Sequence, residues 1–151
     1  MEGQVTFRFN EAVLGKEYDG GTYTVTRQAI RNYVEAIGET NPLYTGQGPE
    51  PRGPCPDVIA PPPLLITFID DWEPPDLDLK FDGTLYLAGY WIEPLEPVRV
   101  GDELRATIRV VDVYPKTGRS GPMVFLVKEA VFTDQMGRQV ARVGSSSVWR
   151  K

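Results

Sequence analysis

The residues best suited to proton transfer lie in one short stretch, residues 38–44, which reads Gly-Glu-Thr-Asn-Pro-Leu-Tyr. Glu39 and Tyr44 are five positions apart across a loop stiffened by a proline, so a carboxylate and a phenol could flank one water molecule. One group would have to take a proton and the other give it. A tyrosine has a reference pKa near 10 and is a poor proton shuttle at neutral pH. The alternative interpretation is therefore a loop in which Tyr44 packs and Glu39 is solvated.

The chain has no histidine, and this narrows the chemistry more than any motif does. A Ser-His-Asp or Cys-His nucleophile and a His-ligated zinc are excluded within the chain. Cys55 is the only cysteine, so an intrachain disulfide and a multi-cysteine metal cluster are excluded too, and we expect an inert thiol. The aspartates between positions 70 and 82 lack the ligand spacing of a calcium loop, which favours a solvated acidic loop without metal.

A helix must deliver the loop to a fixed place. Thr26 is a plausible N-cap, and Gly38 stops the helix where a left-handed residue is cheapest. The side chains between them form an apolar stripe at the helical spacing i, i+3, i+4 and i+7: Ile30, Tyr33, Val34 and Ile37. In the loop itself, Asn41 and Pro42 can shape a turn or contact a ligand.

The rest of the chain predicts an antiparallel sheet. Residues 5–9 suit a short half-buried strand or an edge segment, and Tyr23 and Val25 suit a second short strand after a turn at Gly20-Gly21. A second helix can begin at the prolines 61–63, and an acidic, proline-broken loop or lid follows over residues 70–82. The period then changes to two over residues 84–92, 104–114, 123–133 and 140–149. The first of these strands is apolar on both faces, which predicts a central position. We predict a single α+β domain over residues 1–151, with the sheet curled around the first helix.

Residues 38–44 resemble the active-site loop of the MaoC-like hydratases and dehydratases, which commonly write Gly-Asp-x-Asn-Pro-x-His. In that family the Asp and the His are the catalytic pair, and Glu39 and Tyr44 stand at their places here. Residues 58–62, 93–102 and 116–121 are also similar to that family. They resemble its dehydratase-like N-terminal variety, in which the His is typically missing.

The resemblance implies a hot-dog fold and a reaction, the hydration of a trans-2-enoyl thioester or the reverse dehydration. It implies a dimer with the thioester at the junction, and no cofactor beyond the coenzyme A or carrier protein that holds the acyl group. Lys116 and Arg119 could meet the phosphates of that carrier, although Lys-x-Gly-Arg is also an ordinary hairpin turn. The expected substrate contacts are Asn41, Pro42, Tyr44, Ile59, Ala60, Lys116 and Arg119.

The predicted function is a non-catalytic subunit of a heteromeric hydratase or dehydratase, whose partner hot-dog chain supplies the Asp and the His. Two alternatives stay open: a homodimeric hydratase or thioesterase that uses Glu39, and a non-enzymatic module that binds acyl-CoA. A net charge of −5 argues against a nucleic-acid partner, because neutralising phosphates needs a basic face. The absence of a signal peptide or a membrane-spanning apolar run makes a cytoplasmic location the expectation.

Overall fold

The computed structural model describes residues 5–47 and 57–151. Cys55 and most of the loop predicted over residues 45–56 lie outside the described residues, so the inert thiol stays a prediction.

One antiparallel sheet forms the body of the described structure. Its strands are β1 (Glu17–Thr24), β2 (Thr84–Pro94), β3 (Glu103–Gly118), β4 (Gly121–Thr133) and β5 (Gln139–Arg150). Their spatial order is β1-β3-β4-β5-β2. Three helices accompany it, α1 (Arg27–Ile37), α2 (Pro42–Thr45) and α3 (Ile66–Ile69), together with 3-10 turns at Glu11–Val13 and Pro62–Leu65. The α+β class and the four C-terminal strands are confirmed.

Helix α1 occupies one half of the inner face of the sheet. The Thr26 hydroxyl accepts a hydrogen bond from the Ala29 amide at 3.1 Å, and Gly38 ends the helix with φ 69°. Ile30 and Val34 are buried in a cluster, the helix cluster, whose sheet members include Leu104, Ala106, Ile108, Ala130, Phe132 and Val143. The predicted packing of the sheet against the helix is confirmed. The predicted stripe is buried only in part, because Tyr33 is half-buried and Ile37, at the end of the helix, is 53% exposed.

The other half of the inner face is covered by chain segments that are not helices. A second cluster, the strap cluster, contains Val13, Leu77, Val110, Val113, Val124 and Leu126. Asp76 fixes the covering segment, because its carboxylate accepts from Lys16 Nζ at 2.8 Å and from the Tyr18 hydroxyl at 2.5 Å. The segment 70–82 is thus a loop, as predicted. The expectation of a solvated loop or lid is wrong for its middle, where Leu77 is buried and Asp76 is bonded.

One N-terminal prediction is correct in part and one is wrong. Residues 5–9 alternate between half-buried and exposed side chains as predicted, with Phe7 and Phe9 against the strap cluster, but they form only an isolated bridge, between Arg8 and Lys80, and not a regular strand. Gly20 and Gly21 do not turn the chain but lie inside β1, at a bulge that shifts its register against β3. The bulge suits glycine, since Gly21 has φ 98° and a Cβ at Gly20 would meet the side chain of Ile108.

Strand β2 lies at an edge of the sheet, where the sequence predicts a central strand. Within the described residues it pairs with β5 alone. Its large apolar side chains are exposed: Leu85 at 42%, Tyr86 at 52%, Leu87 at 57% and Trp91 at 45%. The Trp91 indole lies directly over Gly144 of β5, in the space that a side chain at position 144 would need. Apolar character on both faces therefore marks an uncovered edge in this chain, not a strand buried between neighbours.

The β4–β5 turn depends on Asp134, whose side chain accepts from the amides of Met136 and Arg138 at 2.9 and 3.0 Å. Burial alone would raise the pKa of this carboxyl, but those bonds and the Arg138 guanidinium at 2.8 Å outweigh it and lower the pKa. A carboxyl whose pKa is lower in the folded state stabilises the fold above its unfolded pKa of 3.8, and this contribution is lost as the pH falls through its folded value.

We therefore expect Asp134→Asn to lower the free energy of unfolding at pH 7, and we expect its difference from the unmodified protein to shrink as the pH falls below 3.8. Urea unfolding at pH 7, 5 and 3 measures this, with Asp112→Asn, at an exposed position of β3, as the matched control. A constant difference between Asp134→Asn and the unmodified protein at all three values would contradict the prediction.

Candidate functional site

The loop after α1 is held by its own carboxylate. Glu39 Oε1 accepts hydrogen bonds from the amides of Thr40 and Asn41, both at 2.9 Å. The Glu39 amide donates to the Val34 carbonyl at 2.9 Å, which ties the loop back to the buried face of the helix. One carboxylate oxygen is thus committed to the backbone of the loop. Glu39 is half-buried, so the prediction that its side chain is solvated is only partly correct.

Asn41 and Pro42 start the short helix α2. Asn41 Oδ1 accepts from the Leu43 amide at 3.0 Å, and Pro42 occupies the first helical position, where no amide hydrogen is needed. The Asn41 carbonyl also accepts from the Tyr44 amide at 3.0 Å. The structure therefore gives both residues the loop-shaping role, while their contact with a ligand stays a prediction.

Glu39 and Tyr44 come together at one cavity of about 570 Å³, which we call the loop cavity. Tyr44 is half-buried and packs against the helix cluster. An ion pair between Arg27 and Asp57, with nitrogen and oxygen 2.7 Å apart, lies in the wall. The remaining lining residues are Ile30, Arg31, Val34, Glu35, Thr45, Gly46, Gln47 and Val58. The site can bind a polar group through charges of both signs.

Ile59 and Ala60 lie beside the loop but line a different, apolar cavity of about 260 Å³. The Ile59 amide donates to the Leu43 carbonyl of α2 at 3.2 Å, and the Ala60 amide to the Val98 carbonyl at 2.7 Å. The other residues of this cavity are Pro62, Leu65, Pro94, Leu95, Glu96, Pro97, Val98, Val140 and Ala141. The hydrogen bond from Ile59 to Leu43 thus links the wall of the apolar cavity to α2, whose Tyr44 and Thr45 line the loop cavity.

Lys116 and Arg119 are not brought to either cavity. The sequence predicts a hairpin connection over residues 115–121, but β3 and β4 continue to Gly118 and from Gly121, so only Arg119 and Ser120 form the turn. The Ser120 hydroxyl accepts from Arg150 at 2.7 Å, which places the turn beside the end of β5. The strap cluster lies between this turn and the half of the sheet that holds α1. Contact of Lys116 and Arg119 with a phosphate stays a prediction.

Three aspartates of the segment 70–82 have separate partners. Asp70 accepts from the Tyr90 hydroxyl, Asp76 from Lys16 and Tyr18, and Asp78 pairs with Lys80 at 2.6 Å. Among residues 5–47 and 57–151, no three histidine, cysteine, aspartate or glutamate side chains are grouped to hold a metal ion. No helix in the same ranges is long and apolar enough to cross a membrane.

Two functional candidates are absent from the sequence predictions: Lys128 and Ser145, which are buried on the inner face of the sheet. The sequence does carry a signal for Lys128, because every second residue around it in β4 is apolar and faces the core. These residues are Val124, Leu126, Ala130 and Phe132. Burial lowers the pKa of the Lys128 amine, against the opposing effect of the Glu73 and Asp70 carboxylates.

Asn41→Ala should lower the free energy of unfolding by about 1 kcal/mol, because α2 loses its N-cap. Asn41→Asp should stay within about 0.3 kcal/mol of the unmodified protein, since aspartate caps equally well. Urea unfolding monitored by far-ultraviolet circular dichroism measures both. Equal losses in the two variants would show that the side chain does more than cap.

Curated relatives share most of the chain. A UPF0336 protein from Parafrankia is 32% identical over 152 residues, which cover 93% of this chain and 94% of the relative. A UPF0336 protein from Saccharopolyspora erythraea is 27% identical over 150 residues and 91% of its own length.

Solved structures share the fold at low identity. R-hydratase PhaJ1 from Pseudomonas aeruginosa superposes with a TM-score of 0.67 at 17% identity, over 91% of this chain and 82% of that one. The HadBC (3R-hydroxyacyl-ACP dehydratase) complex from Mycobacterium tuberculosis superposes with a TM-score of 0.65 at 15% identity, over 90% of this chain and 96% of that one. The ChsH1-ChsH2 complex from the same organism superposes with a TM-score of 0.64 at 19% identity, over 91% of this chain and 84% of that one.

The family model of the FAS1-like dehydratase domain region matches residues 12–143, which include the loop, the apolar cavity and nearly the whole sheet. This agrees with the resemblance of residues 38–44 and with the hot-dog fold of the solved structures. The chain therefore belongs to the FAS1-like dehydratase region family, has UPF0336 relatives, and shares its hot-dog fold with R-hydratases and MaoC-like dehydratases of known structure.

Proposed function

We propose that this chain is the non-catalytic, pocket-shaping subunit of a heteromeric enoyl-thioester hydratase or 3-hydroxyacyl-thioester dehydratase. A partner hot-dog chain supplies the Asp and the His. The observation that carries the proposal is a loop in a chain without histidine whose Glu39 carboxylate is bonded to two amides of the loop itself.

The chemistry explains why a second chain is needed. Adding water to an enoyl thioester requires a base that takes a proton from the water and an acid that protonates the α-carbon. In this loop, Glu39 Oε1 already accepts two amide hydrogens, and Tyr44 packs against the helix cluster. A base must lie within hydrogen-bond reach of its water, so a carboxylate turned onto its own loop is poorly placed. Asp and His on a partner's loop would complete the reaction.

The edge strand β2 supports the assembly. It combines four exposed apolar side chains with a strand edge that no residue of 5–47 or 57–151 pairs with, and such an edge pairs readily with another strand. The HadBC and ChsH1-ChsH2 structures are complexes of two different chains. By analogy with them, we propose that β2 of this chain meets the corresponding edge of its catalytic partner.

The ligand we propose is an acyl thioester lying at the junction of the two chains. The apolar cavity beside α2 is lined by Ile59 and Ala60 and suits the acyl portion. Lys116 and Arg119 are far from the loop of their own chain, so we assign them to the carrier phosphates of a thioester held at the partner's loop. The coenzyme A or carrier protein arrives with the substrate, and no further cofactor is needed.

The central test is turnover with and without a partner. The chain is purified alone and co-expressed with a hydratase-type hot-dog chain carrying Asp-x-Asn-Pro-x-His. Native mass spectrometry gives the composition, and crotonyl-CoA and longer enoyl-CoA hydration gives the activity. We expect a mixed complex that turns over and an isolated chain that does not, with Glu39→Gln leaving the activity of the complex within about twofold.

Two outcomes would contradict the proposal. Enzyme-like hydration or thioester hydrolysis by the isolated chain, lost in Glu39→Gln, would establish the self-sufficient homodimer. Binding of acyl-CoA without turnover, even in the presence of hot-dog partners, would establish a binding module.

The edge has its own prediction. Leu87→Lys places a charge on the exposed edge strand, where burial against a partner would cost several kcal/mol. We expect it to weaken the complex by at least about 100-fold, measured by sedimentation velocity or native mass spectrometry. Val111→Lys is the matched control, because Val111 is equally exposed at 53% but belongs to the interior strand β3. Equal weakening by both variants, or by neither, would refute pairing through β2.

A further inference from the structure

A third cavity, separate from the two beside the loop, lies between the segment that follows α3 and the strands β2, β4 and β5. Its volume is about 240 Å³, and it shares no lining residue with the loop cavity or the apolar cavity. Its lining residues are Ile69, Asp70, Asp71, Glu73, Leu85, Tyr86, Leu87, Tyr90, Lys128, Ser145 and Ser147. An apolar cavity of about 150 Å³ can hold benzene, so this one can hold a group of at least that size.

The floor of the cavity is polar and buried. Of the described residues, three polar or charged ones are buried: Lys128, Asp134 and Ser145. Asp134 holds the β4–β5 turn, but Lys128 and Ser145 face each other as direct partners across β4 and β5 and both line this cavity. Residues opposite each other in an antiparallel pair lie on the same face of the sheet. The two therefore form one polar stripe.

The stripe runs between the two apolar clusters. On β4, Lys128 separates Leu126 of the strap cluster from Ala130 of the helix cluster. On β5, Ser145 and Ser147 separate Val143 of the helix cluster from Trp149, which packs on the strap cluster. Apolar residues at these positions would give one continuous core. The polar stripe places hydrogen-bonding groups at the bottom of the cavity, where a core built for packing alone would have apolar side chains.

Lys128 has donors left for a ligand. Its Nζ donates to the Trp72 carbonyl at 2.5 Å and lies 5.7 Å from the centroid of the Trp72 ring. An ammonium group has three donors, and a buried charge is costly unless they are satisfied. The Ser145 and Ser147 hydroxyls are the neighbouring groups of the floor and can donate or accept.

The rim selects against anions. Asp70, Asp71 and Glu73 are exposed around the opening, and Tyr90 is already committed to Asp70, since its hydroxyl donates to that carboxylate. Burial and this bond raise the pKa of Tyr90 to about 12. A ligand carboxylate would have to pass three carboxylates to reach one ammonium group. A neutral oxygen acceptor meets no such repulsion and can still accept from Lys128.

The walls select for an apolar stem. Leu85 and Leu87 stand on β2 above the polar floor, and Ile69 closes the opposite side at the end of α3. Both leucines are exposed at the edge that we assign to the partner chain, so the cavity opens towards the proposed junction. A ligand that enters here meets hydrocarbon first and hydrogen-bond donors at the end.

We propose that this cavity is an end-group subsite which binds a neutral oxygen-bearing group, a ketone or a hydroxyl, at the end of an apolar stem. This rests on the proposed function in one respect: the stem is the acyl chain of the thioester held at the junction. The subsite makes the enzyme selective for acyl groups with an oxygen function far from the thioester, in preference to plain alkyl chains or chains that end in a carboxylate.

Three probes of similar length test the subsite on the full chain alone: hexan-2-one, 1-hexyne and hexanoate. Ligand-observed NMR titration gives the Kd of each. We expect hexan-2-one to bind about tenfold tighter than the other two, as a hydrogen bond to a charged donor implies. Lys128→Met keeps an unbranched side chain and removes the amine, so it should weaken the binding of hexan-2-one until its Kd equals that of 1-hexyne. Lys80→Met, at an exposed position, should leave all three values unchanged.

Equal binding of the three probes, or an unchanged preference in Lys128→Met, would overturn the subsite and leave Lys128 only the role of fixing the Trp72 carbonyl. Circular dichroism checks that Lys128→Met is folded. If it is not, the double variant Ser145→Ala, Ser147→Ala replaces it, and an unchanged preference for hexan-2-one there would equally overturn the proposal.

A second arm separates this proposal from the proposed function. The co-expressed complex is given two enoyl-CoA substrates of equal chain length, one with a ketone near its far end and one without. A higher kcat/KM for the keto substrate, lost in Lys128→Met, supports the subsite. Turnover of both with no preference overturns the subsite and leaves the proposed function standing. Preference for hexan-2-one by the chain alone, with no turnover by any complex, supports the subsite as a binding site and overturns the proposed function.

Discussion

The burial of Ile30 and Val34 of α1 against the inner face of the sheet is the constraint on which the rest of the site depends. It fixes the C-terminal end of the helix, and the left-handed Gly38 then directs the chain back across the sheet. The amide of Glu39 returns a hydrogen bond to Val34, so the loop is bonded to the same residue that anchors the helix. The start of the loop is therefore tied to the core beneath it. A loop held at a fixed place suits a binding surface whether or not it performs catalysis.

The loop shows how a side chain of the right type can serve structure instead of chemistry. Glu39 stands where the resemblance of residues 38–44 predicts a catalytic carboxylate, but in the structure its oxygen satisfies two amide hydrogens that would otherwise lack partners. Asn41 does the same for the amide of Leu43. The side chains of Glu39 and Asn41 thus hold the backbone of this loop in place.

The sequence predicts what local periodicity controls. Helix α1, its Thr26 cap and its Gly38 end follow from helical spacing and cap chemistry, and strands β3 to β5 follow from alternation. The errors arise where the same pattern has two physical meanings. Two adjacent glycines suit a turn or a bulge, and only the pairing of β1 with β3 on both sides decides for the bulge. Apolar residues on both faces of β2 suit a central strand or an edge that another chain covers, and no property of a single chain distinguishes the two. Lys128 was missed because a charged residue in a strand is ordinarily assigned to the solvent face.

Gly144 shows that the edge surface is not set by edge residues alone. It lies one strand inward, on β5, opposite Trp91, and the indole occupies the volume that a β-carbon would take. Any larger residue there would turn the indole away from the sheet and raise a ridge on a surface that is otherwise level. The contour that another protein would meet along β2 is consequently decided by the absence of a side chain on a neighbouring strand. Comparisons of binding specificity among such domains should include this inner position as well as the residues that touch the partner.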